Sequence, residues 1–130
     1  MTNGFTAADV PDQSGRTILV TGANTGLGFE ASKVLAEQGA RVLLGCRSEE
    51  KAQLAIASIK TEVPDADLEF VALDQADLAS VRRAVDQVQG ESRLDVLVNN
   101  AGVMMPPREM TADGFESQFG VNHLGTFALT

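Results

Sequence analysis

The stretch Thr21-Gly22-Ala23-Asn24-Thr25-Gly26-Leu27-Gly28 decides how this 130-residue chain folds. It follows the apolar run at residues 17–20 and leads into helical spacing, so it joins a strand to a helix. Its glycines permit a sharp turn, close approach of backbone N–H groups to a diphosphate, and tight packing of helix on sheet. The helix N-terminus adds partial positive charge there. The stretch predicts a dinucleotide site; a glycine-rich turn that binds nothing is the alternative.

Four short apolar runs, at residues 17–20, 41–44, 68–73 and 95–98, predict four strands. Three are nearly continuous rather than alternating, which is typical of a parallel sheet covered on both faces. Strand–helix alternation with right-handed crossovers predicts a doubly wound, three-layer α/β fold with strand order 3-2-1-4. We assign residues 1–16 to an N-terminal arm with a turn at Ser14-Gly15, and residues 17–130 to one dinucleotide-binding domain.

Three stretches with helical spacing separate these runs. Gly39, Pro64 and Gly90 follow them and predict where the helices end, and Asp77 is the expected N-cap of the third. The predicted buried faces are Leu27, Ala31, Val34, Leu35 and Gln38; then Ala52, Ala55, Ile56, Ile59 and Val63; then Leu78, Val81, Val85 and Val88.

Residues 113–130 predict a fourth helix that is apolar on several sides. Phe115, Phe119 and Asn122 share one side of it. We expect this helix to be buried by its own sheet and by a partner subunit, in a homodimer or homotetramer of a longer protein. A four-stranded layer that ends on such a helix is an incomplete fold.

Charge and rare residues exclude several classes of protein. The net charge is −8, from 18 acidic and 10 basic side chains, so nucleic acid is not an expected partner. One Cys and one His rule out an internal disulfide and argue against a metal site. No signal peptide opens the chain and no apolar run is long enough to span a membrane. We therefore expect a cytoplasmic protein.

The motifs TGANTGLG, Leu73-Asp74 and NNAG (residues 99–102), in this order, resemble the short-chain dehydrogenase/reductase superfamily. Residues 111–130 are similar to its retinol-dehydrogenase-like and WW-domain-oxidoreductase-like branch, although Thr126 stands where that branch often has His. The resemblance implies a Rossmann-type fold. It also implies an oxidoreductase that interconverts a small-molecule alcohol and a carbonyl by hydride transfer with a nicotinamide cofactor.

The end of the second strand favours NADP over NAD. NAD enzymes of this type place an acid there for the ribose hydroxyls, whereas this chain has Gly45-Cys46-Arg47-Ser48. Arg47 suits a 2′-phosphate, and Ser48 could add a hydroxyl. The alternative is that Arg47 is a solvated charge and Ser48 caps the next helix.

The resemblance implies further contacts with the cofactor. Asp74 would accept from the adenine amino group beside the backbone amide of Gln75, unless Asp74 only forms an Asx turn. Asn99 would brace the sheet. Residues 103–107 would run beside the nicotinamide or form a plain loop. The complete set of expected cofactor-binding residues is Gly22, Asn24, Thr25, Gly26, Leu27, Gly28, Arg47, Ser48, Asp74, Gln75, Asn100, Ala101 and Gly102.

Asn122 matches the asparagine of the family's catalytic tetrad, which holds a water in a proton relay; a core amide satisfied by backbone is the alternative. We give His123 no role. The tetrad's Tyr and Lys are missing, since the chain has no Tyr and its lysines all precede the fourth strand. We expect nucleotide binding without turnover. A reading frame continuing into YxxxK would support the enzyme, and a stop codon would support a non-catalytic nucleotide-responsive binding or scaffold module.

Overall fold

The computed structural model describes residues 4–130 and contains one parallel sheet with the strand order β3-β2-β1-β4. The register pairs Ile18 of β1 with Val42 of β2 on one side and with Val96 of β4 on the other. Both the parallel sheet and its order confirm the prediction. The strands are β1 (Thr17–Thr21), β2 (Arg41–Cys46), β3 (Asp67–Ala72) and β4 (Val96–Val98).

Helices cover both faces of the sheet, as predicted. Ile18 and Val42 face one cluster with α1 and α2, while Leu19 and Leu43 face another with α3 and α5. In residues 4–130, no helix is both long and apolar enough to cross a bilayer. The helices are a 3₁₀ turn (Ala7–Asp9), α1 (Gly26–Glu37), α2 (Glu49–Glu62), α3 (Leu78–Gln89), α4 (Ser117–Phe119), a π-helical turn (Gly120–Gly125) and α5 (Thr126–Leu129).

The helix ends follow local sequence signals. Gly39 stops α1 at φ 91°, and the following amide of Ala40 donates to Leu35 O at 3.0 Å. Asp77 caps α3 by accepting from the Ala79 amide at 3.0 Å. The predicted turn at Ser14-Gly15 is present, with Gly15 at φ 79°. Residues 1–3 of the proposed arm lie outside the described residues.

The predicted buried face of α1 is wrong at its first position, although Leu35 does pack against the core. Leu27 is 82% exposed, and the fully buried positions are instead Gly28, Ser32 and Ala36. These three small residues recur every fourth position, so they let the helix lie close against the sheet. In α2 the buried residues all belong to the predicted face, and they are Ala52, Ala55 and Ile59. In α3 only Val81 of the predicted face is fully buried, beside Ser80 and Ala84.

The last helix begins four residues later than predicted, at Ser117. Glu116 caps it, because its carboxylate accepts from the amides of Gln118 at 3.0 Å and Phe119 at 2.9 Å. The preceding segment turns back on itself through Gly114, at φ 84°. Phe127 is 78% exposed in the single chain, so the sheet covers only part of this segment, and its burial by a partner subunit stays a prediction.

Arg41 opens β2 and is surrounded by three carboxylates at the amino ends of the strands. Its guanidinium donates to the two oxygens of Glu91 at 2.9 and 2.7 Å, to Asp67 at 2.6 Å, and to Glu69. The hydrogen bonds with Arg41 lower the pKa of Glu91, and those with Glu91 raise the pKa of Arg41. The cluster ties the start of the sheet to the segment after α3.

Replacing Glu91 by Gln should lower the free energy of unfolding at pH 7 by about 1 kcal/mol, because Arg41 loses a charge-assisted pair. The pKa of Glu91 is lowered in the folded state. Its contribution is therefore present above an unfolded-state pKa of about 4.3 and is lost as pH falls through the folded value. Urea unfolding at several pH values should show the wild-type and E91Q curves converging on acidification. Glu109→Gln, at an exposed site, is the control; divergence toward pH 3 would contradict this account.

Candidate functional site

A groove of about 430 Å³ runs along the carboxyl ends of the strands. This is where ligands bind in open α/β sheets, next to the point at which the strand order reverses. The reversal falls between β1 and β4. Nine of the predicted cofactor residues line the groove: Gly22, Asn24, Thr25, Arg47, Asp74, Gln75, Asn100, Ala101 and Gly102.

Thr21, at the end of β1, holds β1 and the end of β4 together. Its buried hydroxyl accepts from the amides of Asn100 at 3.0 Å and Ala101 at 2.9 Å. In return, the side-chain amide of Asn100 donates to Thr21 O at 3.0 Å. The expectation that Asn99 braces the sheet is wrong, since Asn100 does so while Asn99 reaches Thr130 at 3.2 Å. The two asparagines share one motif, and the sequence carries no signal that separates them.

The glycine turn is packed tightly at its two ends and open in the middle. A Cβ on Gly28 would overlap the Gly22 carbonyl oxygen and lie 2.6 Å from Asn100 Nδ2. Gly22 itself has φ 63°, and its Cβ would lie 3.1 Å from Ala101 Cα. Gly26, at φ 57°, has no atom within 4 Å of a built Cβ. The backbone at Gly26 is therefore accessible to a ligand.

The N-terminus of α1 lacks the side-chain cap that α2 and α3 have. Thr25 is its N-cap residue, but its side chain makes no capping hydrogen bond. Gly26, Leu27 and Gly28 form the first turn, and such amides have no partner inside the helix. Gly26, Leu27 and Gly28 do not line the groove itself, but they follow directly on Thr25, which does. This end of α1 can accept an anion.

Two cations border the groove next to the end of β2. Arg47 is exposed, and within residues 4–130 it makes no ion pair. Lys51, which sequence reasoning missed, lines the same wall. Its place in the first turn of the helix that follows Arg47 was the available signal. Ser48 does cap α2, accepting from the Lys51 amide at 3.3 Å, and does not line the groove.

Asp74 is the one carboxylate among the residues lining the groove. One of its oxygens accepts from the Ala76 amide at 2.9 Å, which is an Asx turn. Its own backbone amide donates a hydrogen bond to Ser80 Oγ at 2.9 Å. The Asx turn occupies Oδ1, and a carboxylate has further acceptor positions for a ligand.

Asn122 lies outside the groove lining and is exposed, so it is not the buried core amide of the alternative interpretation. Its side chain pairs with the backbone of Val103, accepting from the amide at 2.8 Å and donating to the carbonyl at 2.7 Å. It therefore fixes a residue that does line the groove. His123 stacks on Phe119, with ring centroids 5.2 Å apart.

Cys46 lines the groove at the residue where β2 ends. Burial raises the pKa of its thiol to about 11. The thiol is therefore neutral at physiological pH and is not a nucleophile. Within residues 4–130, no three His, Cys, Asp or Glu side chains cluster in a way that could hold a metal ion.

The family model for the short chain dehydrogenases matches residues 16–130. The chain belongs to this family. It is 50% identical over 117 residues to retinol dehydrogenase 11 of Homo sapiens, covering 89% of this chain and 37% of that protein. A crystal structure of a protein from Mycobacterium paratuberculosis matches with a TM-score of 0.87 and 47% identity, covering 98% of this chain and 45% of the other. L-sorbose reductase of Gluconobacter frateurii, complexed with NADPH and L-sorbose, matches with a TM-score of 0.72 and 25% identity, covering 89% and 45%.

This short-chain dehydrogenase thus spans less than half the length of each of these three proteins. The family consists of oxidoreductases that use NAD(P), and the groove fits such a group. Open backbone at Gly26, uncapped amides in α1 and the cations Arg47 and Lys51 all suit a phosphorylated ligand.

Replacing Gly28 by Ala should lower the free energy of unfolding by about 2–3 kcal/mol, because the added methyl overlaps the Gly22 carbonyl. Gly26→Ala is the matched control in the same turn. It should cost about 1 kcal/mol, from its positive φ alone. Chemical denaturation of both variants measures the difference. Equal losses would show that crowding at Gly28 is unimportant.

Proposed function

We propose that this chain is the cofactor-binding part of an NADP-dependent oxidoreductase that interconverts an alcohol and a carbonyl. The observation that carries the proposal is the combination of an open glycine turn with two cations at one groove. The chain has a net charge of −8, yet Arg47 and Lys51 outnumber Asp74 in the groove lining. This local excess of positive charge suits a polyphosphorylated ligand.

The amides of Gly26, Leu27 and Gly28 would hold the diphosphate, with Asn24 and Thr25 at its edge. They are the first-turn donors of α1, where the helix carries partial positive charge. The open space at Gly26 would let a phosphate oxygen come within hydrogen-bond distance of the backbone. Asp74 and the Gln75 amide would hold the adenine. Asn100, Ala101 and Gly102 would line its ribose.

Arg47 would select NADP by pairing with the 2′-phosphate through its planar guanidinium. Lys51 would add a second cation on the same wall. Ser48 already caps α2 through its lone pair, but its O–H remains free to donate to the phosphate. L-sorbose reductase, which matches this fold, is a precedent in complex with NADPH.

The bound nicotinamide supplies or accepts a hydride. Asn122 would contribute to catalysis by holding a water for a proton relay. The backbone of Val103 occupies one N–H and one oxygen lone pair of the Asn122 side-chain amide. One N–H and one lone pair of that amide therefore remain for the water. The chain contains no Tyr, so the general acid and its Lys would come from further residues of the whole protein.

Three related points stay predictions. A homodimer or homotetramer of the whole protein is supported by the exposed aromatic rings of Phe119 and Phe127. A cytoplasmic location rests on the single cysteine. The alternative of a non-catalytic nucleotide-responsive module shares the nucleotide site and differs only in lacking the tetrad.

Replacing Gly26 by Leu should weaken NADPH binding at least tenfold, about 1.4 kcal/mol, because the side chain would fill the space beside the α1 amides. Gly15→Leu is the matched control, since Gly15 also has positive φ and open surroundings but precedes β1, at the end of the strand away from the groove. Fluorescence titration of NADPH measures both. Wild-type affinity in G26L would refute the diphosphate site.

Replacing Arg47 by Asp should reduce NADPH affinity about tenfold or more and shift the preference toward NADH, because an attractive charge becomes a repulsive one. Arg82→Asp makes the same charge change at an exposed position of α3 that does not line the groove. Competitive titration with both nucleotides gives the ratio. An unchanged ratio in R47D would defeat the NADP assignment.

A further inference from the structure

The side chain of Gln75 connects the β3–α3 loop to the π-helical turn. It belongs to a residue only 6% exposed. Its Nε2 donates to Val121 O and to Thr126 Oγ1, both at 2.9 Å. Val121 O can only accept, so the group that faces it must be the NH₂. One amide therefore spans the turn from its second residue to the residue just beyond it.

The turn is also pressed against the backbone of Gln75. A Cβ on Gly125 would overlap the Gln75 carbonyl oxygen and lie 2.8 Å from Gln75 Cβ. A Cβ on Gly120, at the other end, would overlap the Thr111 side chain. π-Helical turns are rare and frequently mark functional sites. Here, close contact at both glycines and the Gln75 amide hold the turn in place.

Asn122 lies inside this turn, one residue after Val121. Its side chain in turn holds Val103 N and O, at 2.8 and 2.7 Å. Gln75 and Val103 both line the groove. A continuous set of contacts thus runs from Gln75, through Val121 and Asn122, to Val103. It connects two segments that are 28 positions apart in the chain.

The Gln75 amide also carries an unfavourable feature. Its Oε1 is buried and finds no hydrogen-bond partner among residues 4–130. A buried polar atom without a hydrogen bond is unfavourable, and an apolar side chain of similar size would avoid that cost. The two hydrogen bonds of Nε2 therefore bring little net stability, and what they supply is a defined position of the turn.

We propose that the side chain of Gln75 is a positioning residue, which fixes Asn122 and Val103 at the groove through Val121 and Thr126. This role rests on the proposed function, because it matters only if the groove holds the cofactor and Asn122 holds the water. The positioning role of the Gln75 side chain is separate from the proposed adenine contact, which would use only the backbone amide of Gln75.

Amide NMR spectra of the ¹⁵N-labelled chain without nucleotide test the link directly. In Gln75→Leu, the Val103 amide and the Asn122 side-chain NH₂ signals should shift, and hydrogen exchange at Val103 should accelerate. Gln87→Leu is the matched control, because Gln87 Nε2 also donates to a backbone carbonyl, that of Phe70 at 2.9 Å. It should leave both signals in place.

Thr126 supplies a second pair of variants in case Q75L does not fold. Thr126→Val removes the acceptor and should shift the same Val103 and Asn122 signals, whereas Thr126→Ser keeps a hydroxyl and should restore them. Signals at Val103 and Asn122 that stay unmoved in folded Q75L, or in folded T126V if Q75L does not fold, would overturn the proposal.

Nucleotide titration then separates this proposal from the proposed function. NADPH affinity should fall about three- to tenfold in Q75L and T126V and stay near wild type in T126S and Q87L. If the wild-type chain binds no NADPH, the proposed function fails, while the spectra without nucleotide still decide the role of Gln75. Equal affinities in wild type and Q75L would show that the position of the turn does not matter to the groove.

Discussion

The hydroxyl of Thr21 joins the two strands between which the site is built. It accepts from consecutive amides after β4, and Asn100 returns a hydrogen bond to the end of β1. Asn100 also lies so close to Gly22 and Gly28 that neither glycine has room for a side chain without displacement. The path of the glycine turn, the start of α1 and the wall of the groove therefore depend on this one junction. A parallel sheet brings such strand ends to a single edge, where hydrogen bonds between them organise a binding site.

Charge is distributed unevenly between the two ends of the sheet. At the amino ends, Arg41 is surrounded by Asp67, Glu69 and Glu91, so its charge is neutralised by partners in the fold. At the carboxyl ends, Arg47 and Lys51 border a groove with one carboxylate. The first arrangement stabilises the sheet, and the second leaves cations available to a ligand. A chain with a net charge of −8 thus presents a positive site without being basic as a whole.

Features that depend on neighbouring residues in the chain were predictable from the sequence. Apolar runs predict the four strands. The end of α1 follows from the positive φ that Gly39 adopts, and the start of α3 follows from the capping carboxylate of Asp77. Features that depend on tertiary contacts were not. The buried face of α1 is set by how closely it approaches the sheet, so Leu27 is exposed although its spacing suggested burial. The exposure of Asn122 and the contact of Gln75 with the π-helical turn follow from a helix irregularity that apolar periodicity does not reveal.

The π-helical turn adds one residue to the path of the last helix. Each residue of an α-helix rotates the side-chain direction by about 100°, whereas a π-helical turn rotates less per residue, so it accommodates one more residue while the later side chains keep their direction. Leu129 faces the apolar cluster of the sheet and Phe127 faces outward. Losing one residue from 120–125 would let the segment close as an α-helix with Leu129 and Phe127 still facing as they do now. What would be lost is the widened turn itself, with the Val121 carbonyl that Gln75 contacts. The extra residue in this segment therefore serves the contact with the β3–α3 loop and not the packing of α5.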